Sequence, residues 1–197
     1  MPCPEKFRDS LTHFAVEQAT IDAICGGYEG LVGHSPRKER AAFFQRALNV
    51  LDDRMQPEAV RDLLAWNACC KSGAREKASK EFARINGGKT LAEKLALIAS
   101  RPYLNMGVPE LTDQGEILLH AVSWSPDGER YACACTTFKG LKLDRPVSKH
   151  YCCCCGGHFQ YHYQIMLGVK LTVAEVVSSP LDSMGAKPCV FRLRVEA

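Results

Sequence analysis

An α+β fold is predicted by three observations. Apolar residues recur at helical spacing up to about Ser100, and beyond that point the period shortens to the alternation of strands. The strand-like segments are joined by short connections carrying hairpin residues, which favours an antiparallel sheet over a parallel one. With 197 residues, 46% of them hydrophobic, the chain can bury one sizeable core. The expectation is one domain over 1–197, with a helical half over 1–100 packed on a cysteine-rich sheet half over 101–197.

The helical half divides at its punctuation. Leu11, Phe14, Ile21 and Cys25 form one apolar face that breaks at Gly26-Gly27. Ser35-Pro36 reads as a cap followed by proline at the first helical position, with Phe44, Ala47, Leu48, Leu51 and Met55 continuing the stripe. Pro57 opens a third helix through Val60, Leu63, Leu64 and Asn67 to Cys70, and Ala78, Phe82 and Ile85 mark a fourth that closes at Gly87-Gly88. Thr90-Leu91-Ala92-Glu93 is a capping box opening a fifth, with Leu91, Leu95 and Ile98 on its apolar side. In the second half, Glu116 to Trp124 and Arg130 to Thr137 read as strands joined by the turn Ser125-Pro126-Asp127-Gly128. His158 to Leu167 reads as a helix ending at Gly168, and Lys170 to Val177 and Cys189 to Val195 as two further strands flanking the loop from Ser178 to Pro188.

Charge and hydropathy narrow the partners. A formal net charge of +3 is too small to argue for nucleic acid, and no Lys/Arg run resembles a recognition helix. Lys139, Lys142, Arg145 and Lys149 surround only Asp144, and read either as a solvated loop or as an anion-binding rim. No apolar run approaches the roughly 18 residues of a membrane span, and the N-terminal stretch lacks the apolar core of a signal peptide. The expectation is a soluble, cytoplasmic protein. In a reducing compartment, eleven cysteines point to metal, redox work or small buried side chains rather than to disulfides.

Cys152-Cys153-Cys154-Cys155, followed by Gly156-Gly157-His158 and then His162, is the densest concentration of chemistry in the chain. Thiolates are soft metal ligands, and a helix start stabilises negative charge beside it. His158 and His162 lie four apart on one helical face, but Phe159 stands where a metalloprotease needs glutamate, which excludes that reading. The alternative for these imidazoles is a buried ring hydrogen-bonded to backbone. Alternation places Glu175 in line with Leu171, Val173 and Val177, and Cys189 in line with Phe191, Leu193 and Val195. A carboxylate and a thiol would then enter the core together, and a buried carboxylate requires a cation, a metal or donors. The alternative for Glu175 is a strand edge reaching water or Lys170. Cys133 and Cys135 share a strand face with Tyr131 and Thr137, as a metal contribution or as packing. Cys70 is in phase with the Val60/Leu63 stripe and reads as packing, Cys69 is undetermined, and Cys3 and Cys25 read as incidental.

Over residues 101–197, the order of elements, the Cys152–Cys155 run before a helix, Glu175, and Cys189-Val190-Phe191 resemble the 4-vinyl reductase domain. That module senses small molecules and is related in fold to the haem nitric-oxide-binding and Golgi-transport ligand-binding domains. The resemblance implies a zinc held near a ligand pocket by a cysteine before the helix, the glutamate, and a final cysteine. This chain departs from the pattern at Ser178, where the family has cysteine, and its loop before Cys189 is longer. Cys69-Cys70-Lys71, Tyr151-Cys152, Gly157-His158-Phe159, Leu167-Gly168-Val169-Lys170 and Glu175 to Leu181 resemble an uncharacterised prokaryotic family, which implies no activity. The helical front and α+β back are also similar to L-2-amino-thiazoline-4-carboxylic acid hydrolases.

The expected function is a small-molecule-binding or sensing domain braced by structural zinc, with Cys152, Cys154, Cys155, Glu175 and Cys189 as metal ligands. His158, His162, Cys133, Cys135 and Tyr161 are expected around the ligand pocket. A small molecule is the expected partner and a second copy of the chain the other candidate. Two alternatives stand beside it: a hydrolase or cysteine-dependent enzyme with His158 or His162 as base, and a redox protein using Cys152 and Cys155.

Overall fold

The computed structural model describes residues 3–68, 71–101, 107–121, 124–125 and 127–196. Its α+β architecture follows the expected division. Six helices, α1 (Pro4–His13), α2 (Gln18–Cys25), α3 (Arg37–Arg54), α4 (Pro57–Trp66), α5 (Ala74–Asn86) and α6 (Leu91–Ala99), precede the sheet strands β1 (Val108–Leu111) and β2 (Ile117–Ala121). A 3-10 turn over Lys149–Cys152 then leads into α7 (Cys153–Leu167), and β3 (Leu171–Ser178) and β4 (Cys189–Val195) complete an antiparallel sheet of order β1-β2-β4-β3.

Several local signals fold as read. Thr90 accepts from the Glu93 amide at 3.3 Å, and the Glu93 carboxylate accepts from the Thr90 amide at 2.7 Å, closing the capping box of α6. Gly168 ends α7 in a left-handed conformation with φ 72°. The buried Lys94 reaches across from α6 to donate to the Leu167 carbonyl at 2.8 Å, where cationic charge suits a helix C-terminus.

Other readings are corrected. The first apolar face is split between α1 and α2, because Ala15 takes a left-handed conformation (φ 51°) and turns the chain. Helix α3 starts at Arg37, with Pro36 as its N-cap and the Ser35 hydroxyl accepting instead from the Val32 amide at 3.0 Å. Helix α4 ends at Trp66, and the expected continuation over Cys69-Cys70 lies outside the described residues. Arg130 to Thr137 is not a strand: one isolated bridge joins Trp124 to Tyr131, and the chain then leaves the sheet. Its turn does form, with the Gly128 amide donating to the Ser125 carbonyl at 2.9 Å, while Pro126 lies outside the described residues. Strand β1 carries no clear alternation and was not expected from the sequence.

Helix α7 is the central element, packed on β3 on one side and on α4 and α5 on the other. It starts at Cys153 rather than His158, so most of the cysteine run is helical. Gly156 and Gly157 explain how it fits. A Cβ on Gly156 would lie 2.9 Å from a Val173 methyl, and one on Gly157 would lie 2.3 Å from the Ala65 carbonyl oxygen. Two neighbouring glycines, about 100° apart around the helix, thus let α7 approach sheet and α4 at once. Below its first turn sits an aromatic group in which the fully buried Tyr151 ring meets Phe44 and Phe138, with centroids 5.5 and 4.8 Å apart.

Candidate functional site

Three segments deliver thiols to the N-terminal end of α7. Cys133 and Cys135 come from the irregular chain after the Trp124–Tyr131 bridge, Cys152, Cys154 and Cys155 from the 3-10 turn and first turn of α7, and Cys189 from the start of β4. The Ser178 hydroxyl donates to the Pro188 carbonyl at 2.8 Å and so pins the beginning of β4 beside the end of β3.

The thiols lie near enough to influence one another's ionisation. Burial, followed by the charges of Cys189 and Cys155, drives the Cys152 thiol well above its ordinary range. Burial, with Cys155, Asp182 and Cys135 adding to it, pushes Cys189 up to about 12. A hydrogen bond with Cys155 and then burial raise Cys154. Cys135 goes the other way. The Cys133 thiol donates to it, the Tyr151 hydroxyl lies 3.1 Å from its sulfur, and together they hold its thiolate below the usual range against the opposing effect of burial. Cys133 is raised correspondingly, first by that hydrogen bond and then by burial. Cys153 is raised to about 12 by burial, with Cys155, Asp52 and Asp62 adding to it and Arg61 opposing.

Glu175 is not part of this group. Between Val173 and Glu175, β3 carries an extra residue opposite β4, and a second irregularity falls between Val176 and Ser178. The first bulge flips the alternation, so Leu171 and Val173 before it and Val176 and Ser178 after it are buried while the Glu175 side chain remains 39% exposed. It lies 3.4 Å from Lys149 Nζ and 3.5 Å from Arg192 on the outer side of the sheet. The glutamate-containing ligand set implied by the family resemblance therefore does not fit this chain. Among the described residues, no three His, Cys, Asp or Glu side chains are grouped as metal ligands. The thiol donors alone suit a soft ion, each able to swing about its single χ1 torsion.

His158 and His162 point towards α5. Arg75 donates to His158 Nε2 at 2.8 Å, so that nitrogen is an acceptor and the ring is neutral. Burial, then His162 and Arg75, pull its pKa down to about 3. Ser79 donates to the Arg75 carbonyl at 2.9 Å, which leaves its oxygen to accept from His162 Nδ1 at 3.0 Å. Neither imidazole lines either of the two clefts described here, contrary to expectation.

Of the residues expected around a pocket, Tyr161 alone lines the cleft of about 270 Å³ between α4 and α7, together with Phe14, Trp66 and Lys71. Cys133 and Cys135 belong to the thiol group instead. Glu175 borders a second cleft with Arg61, Lys149 and His150. Arg75, Ser79 and Trp66 carried no signal in the sequence, because their partners lie far away in the chain. Tyr151 is the exception, standing directly before the cysteine run.

No family model matches this chain, and no curated protein or solved structure matches it significantly.

Proposed function

We propose that the protein is a small-molecule-binding or sensing domain in which thiolates at the start of α7 hold one zinc ion. The proposed ligands are Cys135, Cys152, Cys155 and Cys189. The observation that carries this reading is convergence: cysteines from three segments far apart in sequence lie by one helix end, near enough that Cys189 and Cys155 raise Cys152 while Cys155 and Cys135 raise Cys189. Thiolates crowded in a buried place repel, and a divalent cation removes that repulsion. When bound, zinc would tie the Cys133–Cys135 segment and β4 to α7 as a structural cross-link. Glu175 is left out, because the first β3 bulge turns it outward to Lys149 and Arg192.

The test is elemental analysis of protein made in zinc-replete medium and purified without chelator or affinity metal, with thiol titration alongside. One zinc per chain is expected, and Cys189→Ser should weaken its retention by at least about tenfold. Metal-free protein with all eleven thiols titrating would end the proposal.

A thiol-redox centre is the second reading. It is supported by the Tyr151 hydroxyl 3.1 Å from Cys135 and by the neighbouring Cys133, rather than by the Cys152/Cys155 pair expected from spacing. Incubation of metal-free protein with a low-molecular-weight disulfide would then cost two thiols. They would appear as a Cys133–Cys135 disulfide, with the reagent reduced to two thiols.

A further inference from the structure

We infer that the cleft between α4 and α7, walled by Phe14, Trp66 and Tyr161 and headed by Lys71, binds a small planar aromatic monocarboxylate. This deepens the small-molecule-binding half of the function proposed above and is independent of its metal.

Size limits the ligand first. At about 270 Å³ the cleft is just smaller than the usual small-molecule site of roughly 300–1,000 Å³, so it suits one or two rings rather than a nucleotide. Its floor is unusually smooth, because Gly157 has no side chain and packs on the Ala65 backbone. A flat molecule can therefore lie close to both helices.

The walls and charges set the class. Trp66 is 37% exposed, one of the large apolar side chains left open to solvent. The His13 ring stacks on it with centroids 5.0 Å apart, and Lys6 Nζ sits 5.2 Å from its centroid, so the indole is held in place. Lys71 Nζ lies 5.9 Å from the Tyr161 ring centroid. Neither Lys6 nor Lys71 has a carboxylate partner among the described residues. Lys6 Nζ donates to the Ala68 carbonyl at 3.4 Å, which leaves Lys71 as the cation that lines the cleft. Burial and then the neighbouring Lys6 charge lower the Lys71 pKa, so an anion arriving at the Lys71 ammonium relieves both effects. Asp62 lines the same cleft and opposes a second negative charge, which favours a monoanion over a phosphate dianion. Aromatic walls supply the affinity for a ring, and Lys71 supplies its orientation.

The experiment is calorimetric titration of the intact protein with benzoate and 4-hydroxyphenylacetate. Benzamide and benzylamine serve as the neutral and cationic counterparts. Carboxylates should bind about 10-fold or more tightly than benzamide, the size of one charge-assisted hydrogen bond. Lys71→Met should erase that preference while leaving the melting temperature unchanged, because Lys71 is part exposed. Equal affinity for carboxylate and amide, tighter binding of benzylamine, absence of binding by all four, or a preference that survives Lys71→Met would each overturn the inference. Zinc measured on the same samples separates the two proposals. Zinc retained without carboxylate binding refutes the cleft, and carboxylate binding without zinc refutes the metal site.

Discussion

Helix α7 carries imidazoles towards α5 and thiols at its N-terminal end, and the two groups meet their surroundings differently. His158 and His162 are each tied to a side chain of α5, so the fold uses their hydrogen-bonding capacity. The thiols, apart from Cys135 with its Tyr151 contact and Cys152 with Ser179, have mainly one another, and most are pushed towards the protonated state. A buried polar group with a fixed partner contributes to specificity of packing, whereas buried nucleophiles massed without such partners retain their chemistry. Sequence reasoning grouped both sets as one site because they are neighbours in the chain. The helix separates them by direction.

The largest effect that sharpens this comparison comes from the glycines that set α7 in place. Gly157→Ala puts a Cβ 2.3 Å from the Ala65 carbonyl oxygen, backbone that cannot rotate away. Gly156→Ala meets Val173 methyls at 2.9 and 3.2 Å, and a valine side chain can adjust. Against a helix-propensity gain of about 1 kcal/mol, Gly157→Ala should lose about 3 kcal/mol or more net. That corresponds to a drop in Tm of roughly 6–12 °C, and Gly156→Ala should lose less than half as much. Chemical denaturation of the two variants measures this, and equal stabilities would mean that the α4 contact yields as readily as the sheet contact.

What the sequence could reveal follows from the range of each interaction. The capping box of Thr90 and Glu93, the stop at Gly168 and most of the apolar stripes depend on residues within one or two turns, and they were legible; the first stripe is split at Ala15, and Ile85 of the fourth is exposed. The alternation of β4 was legible too, because its pairing with β2 is regular. The bulges in β3 were not: no glycine or other local mark distinguishes Ala174 or Val177, and the irregularity appears only when the strand is set against β4. One bulge moved Glu175 from the inner face to the outer. The convergence of the Cys133–Cys135 segment with Cys152–Cys155 was likewise invisible, because Cys-x-Cys fitted a strand that the chain does not form. The Arg75 and Ser79 contacts join positions 83 residues apart, beyond any periodicity.

A smaller effect concerns acid stability and the imidazole side. An ordinary imidazole protonates near 6.5, whereas His158 in the folded chain does so only near about 3. Between these values the unfolded chain binds more protons than the folded one, so stability rises with pH across the window. The contribution is complete above about pH 6.5 and is lost as pH falls towards 3. For one proton the slope is at most about 1.4 kcal/mol per pH unit. Tm should therefore fall from pH 7 to pH 5 more steeply in wild type than in His158→Gln, which keeps an acceptor for Arg75. Parallel profiles would show that His158 titrates normally and that the imidazole side is less closed than its contacts indicate.

The smallest expected effect bears on the thiol side, through the residue that sequence alone would have placed there. Glu175 sits between Lys149 and Arg192, whose side chains are 44% and 41% exposed, at separations of 3.4 and 3.5 Å. Ion pairs this open to water are each worth about 0–1 kcal/mol and weaken further with salt. Glu175→Gln keeps the shape and removes the charge. It should shift stability by under about 1 kcal/mol, less still at high salt, and leave zinc content unchanged. Cys189→Ser in the same assay should release the metal. The contrast is informative because Glu175 and Cys189 stand on adjacent strands and were both expected to face inward. Loss of zinc in Glu175→Gln would mean that the carboxylate reaches the thiols after all, with β3 shedding its first bulge when the ion binds. Retention of zinc in Glu175→Gln and its loss in Cys189→Ser would locate the metal on the thiol face of the sheet, with the bulge as the feature that keeps the carboxylate out.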